Sequence, residues 1–99
     1  LPILIDSSAF TKVRSDVYRL NFALKSTAAT TLAMPSLELT LTDMQDQAVI
    51  RRVLQPSELG FKKDTLEAGA EVSASLPISV KTSGSTERIS GYRLLAFYP

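Results

Sequence analysis

The sequence predicts an all-β domain, an immunoglobulin-like antiparallel sandwich of about six to seven strands with one short helical turn, and three observations predict it. Apolar and polar residues alternate with a period of two in three separate segments. Clusters of Pro, Gly, Asp and Ser interrupt the chain at roughly 10–15 residue intervals, the spacing of short strands. No long stretch repeats at the helical period of 3.6.

The elements follow in chain order. Leu1 to Phe10 is strand-like through Ile3 and Ile5, and its polar Asp6-Ser7-Ser8 break marks a bulge or a switch between sheets. From Val17 to Lys25, Tyr18, Leu20, Phe22 and Leu24 share one face, with Arg19, Asn21 and Lys25 on the other. Leu37, Leu39 and Leu41 repeat that pattern against Glu38, Thr40 and Thr42. Val72, Ala74, Leu76, Ile78 and Val80 repeat it once more against Glu71, Ser73, Ser75, Pro77 and Ser79. Each of these three strands is expected to keep one face wet. Ala48 to Leu54 is a strand of unassigned register, because Arg51-Arg52 interrupts its alternation. Gly91 to Tyr98 is apolar on both faces (Tyr92, Leu94 and Ala96 against Leu95 and Phe97), the composition of a central strand.

The connectors agree with the strands. Thr42 to Gln47 is polar and reads as a hairpin turn that the Asp43 carboxylate holds by accepting from backbone amides just ahead. Pro56 to Gly60 starts on proline and ends on glycine, the asymmetry of one helical turn. Thr82 to Thr86 is a Ser/Thr/Gly loop. Pro77 has no N–H to donate, so its strand belongs at a sheet edge. The expected core is Tyr18, Leu20, Phe22, Leu39, Leu41, Val72, Leu76, Ile78 and Leu94, all within one domain spanning residues 1–99.

Composition narrows the function classes. The 99 residues carry 11 basic and 10 acidic side chains, a net charge of +1, which provides no field to draw the chain onto nucleic acid. There is no cysteine for disulfides or thiolate sites and no histidine, the commonest general base and metal ligand. The longest apolar runs fall far short of the ~20 residues that span a bilayer. An opening Leu1-Pro2-Ile3, without a basic leader or initiator methionine, reads as a segment of a longer protein.

Three ordered motifs resemble a known family. They are Leu37-Glu38-Leu39-Thr40-Leu41-Thr42-Asp43, Arg51-Arg52-Val53-Leu54-Gln55-Pro56-Ser57-Glu58-Leu59, and Gly91-Tyr92-Arg93-Leu94-Leu95-Ala96-Phe97-Tyr98-Pro99, and the run from Tyr18 to Pro35 fits the same pattern. Together they resemble the bacterial domain-of-unknown-function family 3426 over nearly the whole chain. The resemblance implies the C-terminal domain of a proteobacterial inner-membrane protein, preceded by a zinc-ribbon-like motif, a linker and one transmembrane helix. It implies a periplasmic location, and contact with the membrane only through that upstream helix. It carries no activity, and therefore no catalytic residues.

The remaining constellations have plain structural readings. Asp43 and Asp46 supply two carboxylates where calcium takes six to eight oxygens, so turn structure is the expectation. Ser79 and Lys81 would share a solvent face, where the lysine stays protonated and useless as a base. Arg51-Arg52, Lys62-Lys63 and Arg93 would suit nucleic acid only if gathered on one face with exposed rings, Phe61 being the nearest. Tyr92, after Gly91, suggests a tyrosine corner whose hydroxyl bonds nearby backbone. The expectation is a non-enzymatic structural or protein-interaction domain. It has no catalytic, cofactor or metal residues, and an unknown protein partner docks by an edge strand or loops rather than in a deep pocket. The alternative is a carbohydrate- or small-ligand-binding sandwich, which needs two or more coplanar exposed rings.

Overall fold

The computed structural model of the chain describes residues 1–81 and 88–99; the Ser/Thr/Gly loop expected at 82–86 lies outside them. Among the described residues six long strands form: β1 (Ile3–Arg14), β2 (Val17–Ser26), β4 (Ser36–Thr42), β5 (Ala48–Leu54), β7 (Glu71–Ser79) and β8 (Gly91–Phe97). Two short strands, β3 (Leu32–Ala33) and β6 (Thr65–Leu66), pair with each other, and a 3-10 turn covers Pro56–Glu58. All pairings are antiparallel, in two three-stranded sheets ordered β1-β2-β7 and β5-β4-β8.

The sheets face each other across one core. Leu20 and Leu24 of β2 meet Leu37, Leu39 and Leu41 of β4, each at most 1% exposed, and Leu54, Leu59 and Leu66 close the ends. Burying each such leucine is worth roughly 1.5–3 kcal/mol. The two middle strands therefore hold the sandwich together. Their flanking strands are half-covered: Val72 and Leu76 on β7 and Leu94 on β8, all expected in the core, pack against it without being enclosed.

The turns follow their chemistry. β1 and β2 join through Asp16 at φ 65°, a left-handed conformation that aspartate tolerates, and its carbonyl accepts from the Val80 N–H at 2.8 Å. The β4–β5 hairpin is closed by Asp43, whose carboxylate accepts from the Gln45 and Gln47 amides at 2.9 and 3.0 Å. After the 3-10 turn, Gly60 reverses the chain at φ 81°, where a side chain would be strained. The register shift between Ile5 and Ser7 resolves the Asp6 break as a bulge within one sheet.

Three expectations change. Two threonines on the outer face of β4 are not wet: Thr40 and Thr42 are 4% and 2% exposed, Thr40 being a short side chain between the longer Arg51 and Arg93, while Glu38 on that face is half-buried. Tyr92 does not form a tyrosine corner; its hydroxyl meets the Ser8 hydroxyl at 2.8 Å, joining β8 to β1 across the two sheets. Phe10 stacks on Tyr18 at 4.7 Å and leans on Tyr92 at 5.6 Å, so these rings bridge the two sheets between β1 and the start of β8. Most consequential, β8 has the composition of a central strand but lies at an edge, since among the described residues it ladders only with β4.

Candidate functional site

The residues singled out for chemistry are taken up structurally or stand apart. Asp43 is committed to its turn, and Asp46, at φ 60°, holds Arg93 in a 3.0 Å ion pair. Among the described residues no group of three acidic side chains converges as a metal site would. Ser79 and Lys81 are both exposed, as expected for two residues on one solvent face.

The basic residues do not form one patch. Arg51 and Arg93 flank Thr40 on the outer face of β5-β4-β8, whereas Arg52 is on the opposite face beside Glu58 at 4.0 Å. Lys62 and Lys63 line a separate hollow with Pro56 and Thr65. Phe61 lines that hollow too, half-buried, with its ring perpendicular to that of Phe22 at 6.0 Å. Of the seven rings only Tyr98 counts as exposed, at 41%, and its hydroxyl donates to the Ala33 carbonyl at 2.7 Å. Partial burial pushes that phenol's pKa above its ordinary 10.0. A platform of coplanar exposed rings is therefore absent.

A slot of about 190 Å³ opens between the sheets at the β5–β7 side, floored by Leu39, Leu41, Ile78 and Val80 with Arg52 and Lys81 at its rim. Ligand sites usually measure ~300–1,000 Å³, and two hollows of that size, about 560 Å³ over Ser8, Asn21 and Ser75 and about 750 Å³ over Pro56, Lys62 and Thr65, are open surface depressions rather than enclosed cavities. The slot is the gap left where two edge strands do not meet.

Among the described residues the two three-stranded sheets have four edge strands, and three of them are guarded. β7 carries Pro77 opposite Arg19, which removes a backbone donor. β5 carries Arg51 and Arg52, both exposed, and the bulge between Leu41 and Thr42 disturbs its ladder. β1 is broken by register shifts at Ile5/Ser7 and Lys12/Arg14 and bears Asp6, Lys12 and Arg14. β8 has none of these from Leu94 to Phe97: no charge, no proline, and an unbroken register from Ser36↔Phe97 to Thr42↔Gly91. Its one charge, Arg93, is already paired with Asp46. Leu95 is 58% exposed on its outer face.

The family described as Protein of unknown function (DUF3426) matches residues 2–96. The chain belongs to this family. The DUF3426 match covers all eight strands except Phe97, so the whole sandwich, edges included, is the family's domain. No curated protein and no solved structure matches the chain. Sequence reasoning located an edge in this DUF3426 domain at Pro77 and missed the bare one. The signal was present in Gly91–Phe97, apolar on both faces, but composition alone could not distinguish a strand with two neighbours from a strand with one.

Proposed function

We propose that this domain is a non-enzymatic structural or protein-interaction module of immunoglobulin-like design. We further propose that it forms the envelope-facing part of a bacterial inner-membrane protein, on the periplasmic side. The observation that carries the interaction reading is the bare edge of β8, a row of backbone amides and carbonyls bordered by apolar side chains. Connectivity supports the immunoglobulin-like description: the chain crosses between sheets from β2 to β4, from β5 to β7 and from β7 to β8. The location rests on the family resemblance. No helix among the described residues is long and apolar enough to cross a membrane, so contact with the bilayer would fall to other parts of the protein.

The experiment is capture of partners from bacterial membranes with the domain as bait, comparing proline with alanine substitutions at outward-facing edge positions. Proline at Leu95 or Ser75 is expected to weaken capture more than alanine does, because strand addition depends on backbone donors. Loss of capture from alanine changes in the Leu39–Lys81 slot, with edge prolines harmless, would transfer the function to ligand binding.

A further inference from the structure

We propose that the bare edge of β8 pairs with β8 of a second copy of this chain, antiparallel about a two-fold axis at Leu95, fusing two three-stranded sheets into one. The inference rests on the interaction reading above and narrows it to one edge and one partner.

Composition is the first reason. β8 is apolar on both faces, as strands with two neighbours are, yet it has one neighbour. The deficit is visible residue by residue. Leu94 points inward and pairs with Leu39, but Leu39 is 1% exposed while Leu94 is only half-buried. A strand laid beside β8 would cover Leu94 on the inner face and Leu95 on the outer. The guarded edges of β1, β5 and β7 leave β8 as the remaining template for pairing.

Charge and register select the occupant. Two copies of a positively charged edge would repel, but Asp46 neutralises Arg93 within its own chain at 3.0 Å. Antiparallel pairing about a two-fold axis is isologous, so the strand must complement itself. Faces match only if outward residues meet outward residues. With the axis at Leu95, Leu95 meets Leu95 of the second copy, Leu94 meets Ala96, and Arg93 meets Phe97. Leucine then covers leucine at the centre, and a guanidinium lies over a ring on either side. An axis at Arg93 would set arginine against arginine, and one at Phe97 would leave most of the strand unpaired.

The contact is one strand wide, which places it among weak interfaces of less than ~1,200 Å². Sedimentation velocity should therefore be run from about 10 µM to 1 mM, the range in which such contacts form. The wild-type mass is expected to climb from 10.8 kDa towards twice that value. Leu95→Arg should remain monomeric, with an unchanged β circular-dichroism spectrum. The chain has no cysteine, so Leu95→Cys introduces a single thiol, with Val53→Cys on guarded, 48% exposed β5 as control. Under mild oxidation the β8 thiol should cross-link on the order of 10-fold faster than the β5 thiol, because pairing raises its effective concentration. A wild type monomeric throughout, or equal cross-linking rates, overturns self-pairing. If Leu95→Pro still abolishes partner capture in that case, the interaction reading survives and the edge belongs to a different polypeptide.

Discussion

Leu39→Ala and Leu94→Ala test whether the core is organised around the middle strands. The two leucines are ladder partners in β4 and β8, point to the same interior and lose the same three carbons. Transfer alone predicts ~2.4 kcal/mol for three buried methylene equivalents. Leu39 is 1% exposed, so it should lose that amount plus a cavity contribution. Because Leu39 also lines the 190 Å³ slot, the vacated space joins an existing gap and its walls can relax, which limits the cavity contribution to about 1 kcal/mol. The expectation is ~3–3.5 kcal/mol for Leu39→Ala. Leu94, half-buried on an edge, should cost about half the transfer value, ~1–1.5 kcal/mol. Urea unfolding reads both as shifts of midpoint at constant slope. With a slope near ~1 kcal/mol per M, Leu39→Ala should move the midpoint by about 3 M and Leu94→Ala by about 1 M. Equal shifts, or a Leu39→Ala cost below ~1 kcal/mol, would refute the two-layer account of burial.

Three further outcomes are expected. The Glu71 carboxyl has its pKa raised above 4.5, chiefly by the hydrogen bond that its protonated form donates to the Asp6 carboxylate and then by the negative charge of that carboxylate, with Lys25 opposing. A raised folded-state pKa stabilises below the unfolded value, and that stabilisation disappears as pH climbs through the folded one. Glu71→Gln should therefore raise the melting temperature at pH 7, with the gain vanishing below the ordinary carboxylate range; a gain independent of pH would rule out the repulsion from Asp6 as its cause. Gly91→Ala places a Cβ 2.9 Å from Thr42 Oγ1, so it should cost about 1–3 kcal/mol, and adding Thr42→Ala should recover part of that in a double-mutant cycle. Asp43→Ala removes the acceptor for two turn amides and should cost about 1 kcal/mol by urea unfolding, with Asp43→Asn losing less because its carbonyl oxygen still accepts.

Local chemistry was legible in the residues themselves. The Tyr18–Leu24 and Leu37–Leu41 alternations fix which side chains point inward, because a strand's period is two wherever it ends up. Pro77 marked an edge because the missing N–H belongs to the residue, not to its surroundings. The Asp43 turn and the reversal at Gly60 are likewise backbone properties of short segments, whereas at Asp6 the residues left a bulge and a sheet switch open and the β1–β2 register decided for the bulge. Neighbourhood was decided only by the tertiary structure. Thr40 and Thr42 are polar on the page yet buried, since exposure depends on what flanks the strand. Tyr92 bonds to a hydroxyl 84 positions away, a contact that no local pattern encodes. β8 shows the division most plainly: its sequence specifies two apolar faces, and only the order β5-β4-β8 reveals that, among the described residues, no strand ladders with its other side. Side-chain direction is set by each residue's own dihedral angles, whereas burial and pairing are set by long-range packing that closes last and depends on the whole chain.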